Sequence, residues 1–152
     1  VGDIVANIAL GKVKYYAELP AAADAFLVYL IKSAGLEADG TLRDHDDLAA
    51  ALAATNDEAD FTNYARKTVT SITVTVDDTN NRVDIDMADQ TWTAAGGAAN
   101  NTLGKLGLGY DPDTGIGTDS TVVPQTWHDF SVTTDGSDLT AQVAAAGFYR
   151  AS

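Results

Sequence analysis

The sequence has no cysteine. That excludes disulfides, thiol nucleophiles and any metal held by sulfur, and it is compatible with a reducing compartment. Bases are scarce: nine Lys and Arg stand against 22 Asp and Glu, for a net charge of −13. The bases do not gather beyond the pairs Lys12/Lys14 and Arg66/Lys67. Nucleic-acid binding needs a basic footprint, so that class is excluded. An anionic membrane surface would repel the chain as well. Long apolar runs are also missing. The longest, Ala25–Ile31, is far short of the ~20 residues that span a bilayer, and it lacks the early position and basic flank of a signal peptide. A start at Val1 fits removal of an initiator before a small residue, and the expectation is a protein made and kept in the cytosol.

The chain has 152 residues, the size of one ordinary domain, and no shift in composition marks a second. Apolar residues make up 45%, but many are Ala, which buries little. A thin core with much surface is expected. The clearest structural signal is residues 68–92. Ile72, Val74 and Val76 alternate with Thr73 and Thr75; Val83, Ile85 and Met87 alternate with Asp84 and Asp86. Period-two alternation predicts strands with one buried and one wet face. Asp77-Asp78-Thr79-Asn80-Asn81 between them is a turn cluster, so a β-hairpin is predicted.

Elsewhere, alternation of Lys12 and Lys14 with Val13 and Tyr15 suggests a strand within residues 4–19, ended by Pro20. Residues 26–32, FLVYLIK, read as a strand buried on both faces. Residues 44–54 predict one short helix, with Asp44 as cap, Asp46 and Asp47 in the first turn, and an apolar stripe of Leu48, Ala51 and Leu52. Residues 93–102, TAAGGAANNT, read as a loop with little to pack. Leu103–Tyr110 reads as a strand whose Gly104, Gly107 and Gly109 mark a bulge or a close approach. Residues 121–133 alternate again. A tight turn at 134–137 is predicted to fold Leu139, Ala141 and Val143 back onto that strand. Gly147–Arg150 makes a short terminal strand. The expected fold is mainly β with a minor α part: an antiparallel β-sandwich or open barrel of six or seven strands, with one helix near 44–54.

A search for chemistry assigns no catalytic, cofactor-binding or metal-ligating residue. Asp111-Pro112-Asp113-Thr114-Gly115 with Asp119 looks like a calcium loop, but Gly falls at the fifth position and the twelfth is Val122; it reads as a turn. Asp84, Asp86 and Asp89 read as a solvated acidic face. His45 and His128 sit in no metal spacing. His128 and Asp129 point to opposite faces of a strand, so they form no local dyad. No phosphate-binding glycine motif and no nucleophile elbow is present. Trp92, Trp127, Phe148 and Tyr149 are the candidate aromatic anchors of a contact surface.

Four segments together resemble a known family: ANIALGKVKYY (6–16), SAGLEADGTLRDHDDLAAALAATNDEADFTNYARKT (33–68), DDTNNRVDIDMADQTWTAAGGAANNTLGKL (77–106) and HDFSVTTDGSDLTAQVAAAGFYRAS (128–152). The set resembles small virion structural proteins of tailed bacteriophages, especially those of actinobacterial hosts. The resemblance implies a non-enzymatic protein of the particle, assembled in the host bacterial cytoplasm. It implies a capsid decoration or minor capsid role first, with the major capsid protein lattice as partner, homo-oligomerisation, and no nucleic acid or membrane. A tail component of the same virion is the alternative. A carbohydrate-binding or hydrolytic β-domain, with Trp platforms and carboxylates such as Asp84, Asp86 and Asp129, is the reading from another class. Gly107 and Gly109 depart from the larger apolar residues expected in that strand. Asp89–Asn101 is the expected contact with a neighbouring subunit.

Overall fold

The computed structural model describes residues 2–152. The chain is mainly β and antiparallel, with three short helices. It opens with β1 (Ile4–Val5), a 3-10 turn, and α1 (Val13–Ala17). β2 (Ala25–Lys32) follows, then α2 (Asp39–Leu42), α3 (Leu48–Ala53) and β3 (Lys67–Val69). The hairpin is β4 (Ile72–Asp77) and β5 (Arg82–Met87), continued by β6 (Gln90–Trp92). Two long strands, β7 (Thr102–Asp111) and β8 (Val123–Thr133), precede the short β9 (Leu139–Ala141) and β10 (Tyr149–Ala151).

Three sheets result: β1-β8-β7-β2-β3, β10-β5-β4, and β6-β9. The five-stranded sheet is buried on both faces at its centre. One face of β2 and β7 (Phe26, Val28, Leu30, Leu106 and Leu108) packs on Ile85, Met87, Trp92 and Ala141 of the small sheets and on Val13 and Ala17 of α1. The other face (Leu27, Tyr29, Ile31 and Trp127) is covered by Leu42 of α2 and by Leu48 and Ala51 of α3. That double burial is why FLVYLIK carries no polar alternation. The hairpin pairs as expected, from Ile72 opposite Met87 to Asp77 opposite Arg82. Asp77 also closes its own turn, accepting from the Asn80 amide at 3.1 Å.

The glycines of β7 make room for a ring. A Cβ on Gly107 would lie 2.2 Å from Tyr29 Cε2 and 2.8 Å from Trp127 Cζ3, and one on Gly109 would lie 2.7 Å from Val122 Cγ1. Tyr29 stands edge-on to Trp127, ring centroids 5.4 Å apart. The close neighbour is thus an aromatic side chain, and a larger apolar residue at Gly107 or Gly109 would not fit here. Register shifts beside Gly104 and Gly109 supply the bulges.

Four expectations are corrected. Residues 4–19 hold only a two-residue strand; Val13 and Ala17, four apart, form a buried helical stripe while Tyr15 is 56% exposed. The helix near 44–54 is shorter, and its cap is Asp47, which accepts from the Ala50 amide at 2.7 Å; Asp44 instead accepts from Asn7 Nδ2 at 2.6 Å. Residues 139–141 do not return to β8. They pair with β6, Leu139 opposite Trp92 and Ala141 opposite Gln90. The cause lies in the turn: the Thr134 amide donates to Asn101 O at 3.0 Å and the Gly136 amide to Ala95 O at 2.8 Å, which carries the chain to the other sheet. For the same reason residues 93–102 are not a loose loop, since Ala95 is fully buried and Gly96 lies against Thr134.

Candidate functional site

A partly enclosed cleft of about 250 Å³ lies between β8 and the segment 141–148. Its walls include Leu106, Leu108, Phe130 and Phe148, with His128 and Gln142 among the polar groups. The β7–β8 pairing sets Leu106 opposite His128 and Leu108 opposite Thr126, so all four share one face of the sheet. β1 pairs with β8 at Ile4–Trp127, which delivers Asp3 beside His128.

There the structure builds a relay that the sequence does not suggest. Asp3 Oδ2 lies 3.0 Å from His128 Nδ1, and His128 Nε2 lies 2.9 Å from Thr126 Oγ1. Asp3 Oδ1 also accepts from the Asp129 amide at 3.0 Å. Burial works to raise the Asp3 pKa, but the bonds from His128 and the Asp129 amide outweigh it and hold the carboxyl below its ordinary range. Nδ1 can donate to Asp3, and Nε2 shares the second bond with the Thr126 hydroxyl, which can donate or accept. The order acid–histidine–hydroxyl is that of a nucleophilic triad. Here, however, Thr126 is only 2% exposed, so a substrate cannot reach its hydroxyl. What the arrangement can do is fix one imidazole orientation at the cleft wall and pin β1 to β8.

A second cluster lies on the opposite face of β7. Lys105 is fully buried, and its Nζ contacts Asp129 Oδ1 at 2.6 Å, Asp39 Oδ1 at 3.0 Å and Gly2 O at 2.7 Å. Burial opposes the charge, but the bonds to Asp129 and Asp39 prevail and raise the Lys105 pKa. One ammonium thus ties β7, β8, α2 and the N-terminal segment together. His128 and Asp129 diverge as expected, one to Asp3 and the other to Lys105.

The remaining candidates disperse. Asp119 does not join Asp111 and Asp113. It pairs with Arg66 at 2.5 Å, and Arg66 also holds Glu58 at 2.6 Å. Asp113 closes a local turn by accepting from Gly115 N at 2.9 Å. Asp84 is held by Arg150 at 2.5 Å and Arg82 at 3.1 Å. His45 bonds Glu37 at 2.7 Å. Among the described residues, no group of three or more His, Asp and Glu is placed to hold a metal. The aromatic anchors divide. Trp92 and Trp127 are 1% and 0% exposed, which corrects their assignment to a contact surface, whereas Phe148 and Tyr149 are half-buried. Trp92 spends its N–H on Ala65 O at 2.8 Å. Of the residues that matter here, Lys105 had a signal: one cation in an apolar strand demands partners. Asp3 had none, because its role comes from pairing across 126 residues of chain. No family model, curated protein or solved structure matches the chain.

Proposed function

We propose that this chain is a non-enzymatic structural protein of a tailed-phage particle. It decorates the head as a homo-oligomer that binds the major capsid lattice and stabilises the shell. The observation that carries the reading is where the family-like segments go. DQTWTAAGGAANN and TTDGSDLTAQV lie against each other as β6, β9 and their loops. Asp138 accepts from the Ala94 amide at 2.8 Å, and Asp89 accepts from Val143 N at 2.8 Å. The shared residues are spent on internal bracing, which suits a protein whose work is its shape. A net charge of −13 suits an exterior that does not adhere to packaged DNA.

The expected neighbour contact at Asp89–Asn101 narrows with this bracing. Trp92 and Ala95 face inward, leaving exposed positions such as Thr91, Ala98 and Ala99 to meet a lattice. A tail component is the second reading, favoured by a free strand edge of the kind that closes rings. The carbohydrate-binding reading loses its Trp platforms, because both tryptophans are buried. Imaging particles that carry a labelled chain separates head from tail. Label at icosahedral positions is the expected result; axial rings would move the protein to the tail, and unlabelled particles would remove it from the virion.

A further inference from the structure

Among the described residues, β4 presents a six-residue strand edge that no other strand covers. The five-stranded sheet ends in β3, of three residues, and in β1, of two, which covers β8 only at Thr126 and Trp127 and leaves a stretch of β8 that begins with His128 and Asp129; the three-stranded sheet ends in β10, of three, and β4, of six. Short length and edge Lys or Arg are the usual guards against strand addition; β3 carries Lys67 and β10 carries Arg150. β4 has neither. Residues 68–76, TVTSITVTV, contain no charge, Pro or Gly in a chain that is otherwise strongly acidic. β4 is bonded to β5 alone. In an antiparallel ladder alternate residues aim N–H and C=O to opposite sides, so every second residue of β4 aims both outward. Among the described residues, no backbone group outside the hairpin bonds to Ile72–Val76. Two exposed apolar groups lie on β4 and on the helix beside it. Val76 is 57% exposed, and Tyr15, at 56%, belongs to α1, which packs on β4.

We infer that the β4 edge pairs with the β4 edge of a second copy of this chain, antiparallel about a two-fold axis. The two three-stranded sheets then form one continuous sheet. This specifies the oligomer contact of the function proposed above and rests on its oligomeric part alone. Charge selects the occupant. A basic partner would be met by an acidic edge, and this edge is neutral, so it suits its own copy. Two copies of a chain at −13 repel, and a neutral strand is where they can approach. Antiparallel pairing also sets the two Asp77-Asp78 corners at opposite ends of the joint, whereas a parallel pairing would set them side by side. A two-fold joint of one patch with itself is the commonest symmetric contact.

Sedimentation of the purified full chain tests this, with amide exchange read alongside. The expected wild-type mass is twice 15.8 kDa, with association strengthened by added salt, which screens the repulsion. Amides of 72–76 should exchange faster on dilution. In T73K/T75K each lysine faces an aspartate within its own hairpin, Asp86 and Asp84, so the fold is kept. Across the two-fold, lysine meets lysine, and the dissociation constant should rise about tenfold. The variant is less negative overall, so weaker association cannot come from net charge. The inference is overturned by a wild-type chain that stays at 15.8 kDa up to millimolar concentration, or by a dimer indifferent to T73K/T75K. Protection of 72–76 only after another virion protein is added would equally overturn it. The exchange measurement stands whether or not the variant folds. A monomer that still decorates heads would sink this contact and leave the virion reading intact.

Discussion

Lys105 shows how a single residue can carry long-range structure. Its ammonium is buried, but its carboxylate partners are not: the side chains of Asp39 and Asp129 are 25% and 41% exposed. Removing the cation therefore leaves groups that water can solvate, while removing the anions strands a buried charge. Lys105→Met is expected to cost about 1–3 kcal/mol, and D39N/D129N about 3–5 kcal/mol. Urea unfolding measures both; equal costs would contradict the asymmetry. The same residue gives an alkaline limb to stability. Its pKa is raised in the folded chain, so its contribution is fully present below the ordinary value of 10.5 and is lost as pH rises through the folded value. Asp119 is one of several carboxylates, Asp3 among them, that give the acid limb. Its bonds from Arg66 lower its pKa despite partial burial, so its contribution is present above 3.8 and is lost as pH falls through the lower folded value. Unfolding midpoints across pH should fall at both ends, and D119N should lessen the fall on the acid side and leave the alkaline side unchanged.

At the scale of elements, what could be read in advance was what depends on neighbours in sequence. The hairpin follows from alternation plus a turn cluster, and β2 from an unbroken apolar run. The fold class follows from counting such strands. The helix near residue 48 is readable from Leu48 and Ala51, but its cap is not, because Asp44, Asp46 and Asp47 are chemically equivalent candidates and only backbone geometry selects Asp47. What was not legible depends on distant pairing. β9 was expected on β8 because a tight turn normally reverses the chain, and bonds from 134–136 to the 95–101 loop divert it. The relay at His128 needs β1 beside β8, and nothing local encodes that pairing. The glycines of β7 signalled a close approach, and the ring of Tyr29 identifies it. Gly107→Ala should cost about 3 kcal/mol by driving a methyl into that ring. Tyr29→Leu should relieve much of the loss in the double variant. Additive costs in a double-mutant cycle would contradict the assigned contact.

At the scale of the molecule, three features act together. The net charge of −13 disfavours contact with polyanions and chance self-association. The bracing of 89–101 against 134–143 fixes the segments on which the proposed virion role rests. The neutral β4 edge offers one place for ordered self-association. Three polar groups are committed to structure: Thr126 lies behind His128, Lys105 is held by three oxygens, and Asp84 lies between two arginines. A chain built this way is suited to occupying a lattice in many copies. The most direct measurement is therefore the number of copies in a purified particle whose genome encodes the chain, by quantitative mass spectrometry against the major capsid protein. The expected result is an icosahedral multiple on the order of hundreds per particle. A count on the order of tens would place the protein in the tail or portal region, and its absence would contradict a virion role altogether.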